Sequence, residues 1–188
     1  IQFSPKWATI LLGDIVTVIC SVALTMPSKQ RYSWYRDDEW INEMGQNLVI
    51  LKADMHHGGN YQCQVNAGGR SDPVQLDVSE DWLILQAISI VHEGDSLFLR
   101  CHSRPGYDAK NTVFYKDNEA IGSPASESVL HIGRVDVTAA GTYYCEKEVF
   151  YYAYYRKFNA KGNISVLVYL YLYLLPHLPW VFFIGDTG

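Results

Sequence analysis

The chain has no C-x-x-C and no H-x-x-x-H spacing, so it lacks the ligand arrangements a metal site needs. It has no G-x-S-x-G turn, no phosphate-binding glycine loop and no paired-carboxylate motif, so nothing in it supports an enzyme. Asp14, Asp54, Asp95 and Asp136 are scattered near turns, where a β-sandwich would place them. His56 and His57 are adjacent and would diverge on a strand, and His102 follows a core cysteine and should point outward. No run of lysines or basic stripe occurs and the net charge is −5, which disfavours a nucleic-acid partner. No secretory signal stands at Ile1, and the chain reads as a mature form whose signal has been removed. No catalytic residue, metal ligand or cofactor is expected.

The scarcity of cysteine is itself informative. The four in 188 residues fall into two sets of equal design: Cys20 precedes Cys63 by 43 positions and Cys101 precedes Cys145 by 44. Tyr61 and Tyr143 each stand two residues before the second cysteine. A tyrosine there marks the corner of an immunoglobulin sandwich, its hydroxyl bonding back to the backbone while the cysteine bridges the sheets. Two copies at near-equal spacing mean a tandem repeat. Cys20 should therefore pair with Cys63 and Cys101 with Cys145, which implies an oxidising compartment. The chain is long enough for two compact sandwiches, each just under the usual size of about 100 residues. Neither stretch between paired cysteines has room for the two extra strands of a variable domain.

Along the first domain, Ile15–Cys20, Tyr32–Tyr35, Leu48–Leu51, Gly59–Gln64 and Pro73–Val78 read as strands. Trp34, fourteen residues after Cys20, has the place of the tryptophan that packs on the bridge. The second domain begins at Asp81-Trp82-Leu83 with no Gly/Ser/Pro linker, so the junction is short, constrained and bent. Its strands are Leu97–Cys101, Val113–Lys116, Val129–Ile132, Gly141–Glu146 and Asn163–Val168. Tyr115, fourteen residues after Cys101, is expected to cover the second bridge. The fold expected is all-β: two tandem constant-like (C2-type) sandwiches, at 1–80 and 81–168, followed by an apolar segment at 169–188. That segment is only marginally long enough to span a bilayer, and it reads as a hydrophobic stalk or the start of a membrane helix.

Some stretches carry a family resemblance. Ser71–Leu76, Asp81-Trp82-Leu83 through Gln86-Ala87, Glu93-Gly94 and Leu99-Arg100-Cys101-His102 resemble the leukocyte immunoglobulin Fc receptors. Tyr115-Lys116-Asp117, Gly141–Cys145 and Asn163–Val166 are most similar to the alpha chains that bind IgE, with those for IgG second. The resemblance implies a cell-surface ectodomain, membrane-anchored if the tail continues, that captures immunoglobulin Fc and signals through an associated subunit. It also implies glycosylation at Asn163 and contact between Asp186 and that subunit in the membrane. Two departures stand out. The aspartate usual six residues before each second cysteine is replaced by His57 and by Ala139. Arg104 takes the place of the tryptophan that, with the junction tryptophan, clasps an Fc proline.

The candidate ligand-binding residues are Trp82, Arg104, Tyr107, Phe150, Tyr151 and Tyr154. Trp82 sits at the junction, and Arg104 and Tyr107 sit on the loop after Cys101. Five of the seven residues from Val149 to Tyr155 are aromatic, and a strand buries only one side, so some must be exposed. Trp82, Tyr107 and the Phe150–Tyr155 hairpin are expected to form one surface. The rival reading is an Ig-like adhesion or structural module without Fc binding.

Overall fold

The computed structural model describes residues 1–4, 6–21, 30–123 and 128–168; the tail at 169–188, with Asp186, lies outside them. The first domain contains β1 (Gln2–Ser4), β2 (Thr9–Leu11), β3 (Val16–Ile19), β4 (Tyr32–Arg36), β5 (Glu39–Ile41), β6 (Asn47–Ile50), β7 (Gly59–Val65) and β8 (Val74–Ser79). The second contains β9 (Leu83–Gln86), β10 (Ile90–His92), β11 (Ser96–Ser103), β12 (Ala109–Lys116), β13 (Glu119–Gly122), β14 (Val129–Arg134), β15 (Gly141–Tyr151) and β16 (Tyr154–Leu167). Each domain is a three-stranded sheet facing a five-stranded one: β1-β3-β6 against β2-β8-β7-β4-β5, then β14-β11-β9 against β10-β16-β15-β12-β13.

Alternation along the strands builds the cores. Val16, Val18 and Cys20 face inward on one sheet, and Trp34, Tyr61 and Cys63 meet them from the other. The second core repeats this with Leu97, Leu99 and Cys101 against Phe114, Tyr143 and Cys145. Both expected disulfides are present, Cys20–Cys63 and Cys101–Cys145. Both tyrosine corners form: Tyr61 Oη donates to the His57 carbonyl at 2.7 Å and Tyr143 Oη to the Ala139 carbonyl at 2.8 Å.

The repeat runs deeper than the cysteines. Gly59 and Gly141 have φ of +143° and +151°, and a Cβ at either would fall within 3.0 Å of the carboxylate of Asp37 or Asp117. Those carboxylates accept from the Asn60 and Thr142 amides at 2.9 and 3.0 Å. The left-handed backbone lets each amide approach the aspartate of the neighbouring hairpin turn, and glycine alone adopts it without strain.

One expectation about the cores is corrected. Phe114, thirteen residues after Cys101, is the ring buried in the second core and paired across to Cys145. Tyr115 faces the other way, where it stacks on Tyr144 at 4.4 Å and donates to Glu146. A buried phenol needs a hydrogen-bond partner, whereas phenylalanine fills the same space without one.

The second core also holds a charge. Lys147 lies between Cys145 and Val149 on the inward face of β15 and is 7% exposed. Its ammonium donates to the Cys101 carbonyl at 3.3 Å and to Ser128 Oγ, with no carboxylate paired to it among the described residues. Burial, and then the charge of Arg100, hold its pKa below the ordinary 10.5. The unfolded chain binds this proton more tightly, so stability rises with pH between the folded and unfolded values. Lys147→Met is expected to be at least as stable as the parent at neutral pH, within about 1 kcal/mol, because an apolar isostere removes a desolvation cost. It should also lack the parent's gain in stability on the approach to pH 10.5. Urea denaturation across that pH range measures both, and a parallel rise in the variant would refute the assignment.

Candidate functional site

The junction positions the site. Asp14, in the turn after β2, is 8% exposed and accepts from the Leu11 amide at 2.8 Å. From the second domain, His102 Nε2 reaches the same carboxylate at 2.8 Å. His102 does point out of its own core, as expected, but into the neighbouring domain. Gln86 Nε2 donates across the junction to the Thr9 carbonyl at 2.8 Å, and its Oε1 accepts from Arg100 Nη1 at 2.9 Å. Gly13, at φ +87°, packs close enough that a Cβ would lie 3.3 Å from Pro105. The loop after β11 is therefore held against domain 1.

That loop and the β15–β16 hairpin enclose Trp82. Its indole meets Tyr107 edge-on at 4.8 Å, Tyr151 edge-on at 4.8 Å and Phe158 in a stack at 5.7 Å. The Arg104 guanidinium lies over it at 4.6 Å. Arg104 is tethered twice more: its amide donates to the Trp82 carbonyl at 3.1 Å and Nη2 to the Glu80 carbonyl. Its Nε is buried without a hydrogen-bond partner. Trp82 is thus a half-buried pillar, and its neighbours present the outer surface.

The hairpin supplies the exposed part. Tyr152 turns the chain at φ +57° and is 84% exposed, with Tyr154 at 59%, Tyr107 at 47% and Phe150 at 40%. Strand alternation divides these aromatics. Tyr151 and its cross-strand partner Tyr154 belong to the Trp82 side, while Phe150 and Tyr155 pair on the outer face of the five-stranded sheet. Tyr155 Oη bonds to the Asp108 carboxylate and its ring carries Lys110 Nζ at 3.6 Å. The Phe150 amide donates to the Asp108 carbonyl at 2.8 Å, which ties loop to hairpin. The bond to Asp108 holds the Tyr155 phenol above its ordinary pKa, and a bond to Tyr152, then burial, does the same for Tyr151. These hydroxyls remain neutral donors at physiological pH.

The structure brings all six candidate residues to this end of domain 2. Sequence reasoning passed over Phe158, Arg156, Lys110 and Asp108. Phe158 follows Trp82 by 76 positions, and only the hairpin register delivers it. No group of three or more His, Cys, Asp or Glu residues able to hold a metal occurs among the described residues. No helix there is long and apolar enough to cross a membrane.

The family described as "Immunoglobulin domain" matches residues 1–78 and 82–164. The chain belongs to that family, in its Fc receptor group. It is 33% identical over 148 residues to mouse Fc receptor-like protein 5, covering 77% of this chain and 24% of that one. It is 30% identical to the bovine low affinity immunoglobulin gamma Fc region receptor II, covering 77% of this chain and 49% of that one. The rat high affinity immunoglobulin epsilon receptor subunit alpha matches over 100% of this chain and 78% of its own length, at 28% identity. The chain thus spans about half or less of the mouse and bovine relatives. These relatives are receptors rather than enzymes, in keeping with the lack of catalytic motifs.

Proposed function

We propose that this chain is the ligand-binding ectodomain of a cell-surface Fc receptor and captures immunoglobulin Fc at the junction-side end of domain 2. The observation that carries the reading is the exposed aromatic hairpin seated beside the Trp82 pillar. Tyrosine and phenylalanine present large apolar area at low entropic cost, and here four of them stand out of the surface at one end of domain 2. IgE is the first choice of ligand class and IgG the second. The apolar tail would anchor the receptor in the membrane. An ionised aspartate inside a bilayer costs on the order of 3 kcal/mol by insertion scales, so Asp186 would seek a polar residue of a signalling subunit. Asn163 is exposed on β16, with its side chain beside the Thr142 hydroxyl at 3.0 Å, and is the proposed glycosylation site.

Flowing IgE and IgG Fc over the immobilised chain tests the reading, with sedimentation of the chain alone to detect self-association. Binding of neither Fc, with self-association present, would favour an adhesion module. Phe150 is the residue to truncate first, because among the described residues its ring touches only that of Tyr155. Phe150→Ala should leave the circular dichroism spectrum unchanged and weaken Fc binding by about 2 kcal/mol, the scale of an interface hot spot. Unaltered affinity in the folded variant would move the site elsewhere.

A further inference from the structure

β6 is an outermost strand, bonded on one side. In the sheet β1-β3-β6 it pairs with β3 in a register that sets Val16 opposite Ile50 and Thr17 opposite Val49. The Cys20 amide donates to the Gln46 carbonyl at 3.0 Å in the same register. Bonded pairs alternate with unbonded ones along an antiparallel ladder, so Leu48 and Ile50 spend their backbone groups on β3. The N–H and C=O of Asn47 and Val49 therefore point away from β3, and no strand among the described residues meets them. The other outermost strands are guarded. β1, β2, β5 and β10 are three residues long. β13 opens on Glu119, β14 carries His131, Arg134 and a register shift between Gly133 and His131, and β9 is tied to domain 1 through Gln86. Short length, charge and irregular register keep sheet edges from pairing with other chains. From Asn47 to Leu51 there is no charge, glycine or proline. Val49 and Leu51 are more than half exposed, as is Ile15, which the register sets beside Leu51. The first domain has no Asn-x-Ser/Thr, so no N-linked glycan covers the strand.

We propose that β6 pairs with β6 of a second copy of this chain, antiparallel about a two-fold axis through Val49, joining two three-stranded sheets into one of six. The strand is complementary to itself. In that register Val49 meets Val49 and Asn47 meets Leu51 through the backbone groups that point away from β3, while Leu48 meets Ile50 on the core side. Lys52 falls opposite Gln46, so no like charges face each other. The two-fold makes this a closed dimer rather than an open fibre. The ladder is short and buries less than the roughly 1,600 Å² of a standard interface, so the dimer is weak, with a Kd on the order of 10–100 µM. Confinement of two copies to one membrane raises their effective concentration. The pairing uses no residue of the proposed Fc surface and stands whether or not Fc binds.

All four cysteines are in disulfides, so an added cysteine is the single free thiol. Opposed residues of a bonded pair lie about 5.5 Å apart at Cα, within reach of a disulfide. Leu51 would stand about 14 Å from the Leu51 of the second copy, out of reach. The full chain in detergent, carrying Val49→Cys, should therefore form a covalent dimer under mild oxidation by copper phenanthroline. Leu51→Cys alone should link at least about tenfold more slowly, and Leu51→Cys mixed with Asn47→Cys should link as a heterodimer. Val49→Lys sets two ammonium groups face to face and should raise the dimer Kd at least about tenfold in sedimentation equilibrium. Its melting temperature should stay within about 2 °C of the parent's, because the side chain is exposed. Absence of a Val49→Cys dimer, or equal rates for Leu51→Cys alone, overturns the proposal, as does parent-like association of Val49→Lys. On intact cells, a Val49→Cys product holding a different protein in place of the second copy assigns the edge to a foreign strand and also overturns it.

Discussion

Trp82→Ala should destabilise the second domain by about 3 kcal/mol and reduce Fc binding below detection in a micromolar assay. Fully buried tryptophans truncated to alanine cost about 3–5 kcal/mol, and Trp82 is half-buried, which puts it at the lower end. The indole supports Tyr107, Tyr151, Phe158 and the Arg104 guanidinium together. Removing it leaves three rings and a cation without a common surface, so the binding loss should exceed that of Phe150→Ala. Trp82→Phe separates support from contact. A phenyl ring can still back the tyrosines and should recover more than half of the lost stability. Urea denaturation and Fc titration on the three proteins measure this. A Trp82→Ala protein as stable as the parent would mean that the four neighbours hold one another and the pillar is incidental.

How far the sequence leads can be judged at particular residues. Tyr61 and Tyr143 each share a strand with the second cysteine of a pair, so their spacing carries their geometry, and both bridges and both corners form as read. The bridge-covering ring of the second domain was misread by one residue. The spacing of Trp34 from Cys20 was carried over to a domain in which the cysteine and the buried ring stand one residue closer in the chain. That Phe150, Tyr151 and Tyr154 lie at the same end of domain 2 as Trp82 was legible because a short hairpin follows a cysteine tied to the core. Which of those rings would face Trp82 and which the outer sheet depended on the β15–β16 register, where Phe150 opposes Tyr155 and Tyr151 opposes Tyr154. Arg156 and Phe158, eleven and thirteen residues beyond Cys145, carried no local mark. Lys147 looked like an ordinary strand lysine, and only packing revealed it as a buried charge.

The least legible contact is the one between domains, and it yields the second large expectation. Asp14 and His102 stand 88 positions apart, and each alone reads as a turn acid and a surface histidine. In the structure their side chains are 11% and 15% exposed and 2.8 Å apart. Asp14→Ala should cost about 3 kcal/mol, because it orphans the Leu11 amide and removes the acceptor facing His102 in a place with little water. It also withdraws a charge that steadies Arg100, whose guanidinium burial pulls below its ordinary pKa. Asp14→Asn keeps an acceptor for Leu11 and isolates the part that belongs to His102. With the crossing bonds weakened, calorimetry should resolve two unfolding transitions where the parent shows more strongly coupled domains. A double-mutant cycle with His102→Ala should return a coupling of about 1–3 kcal/mol, the range for residues in direct polar contact. A coupling near zero would reduce the Asp14 effect to the capping of its own turn. The interdomain hold would then fall to Gln86, whose amide reaches the Thr9 carbonyl, and to the packing of Gly13 against Pro105.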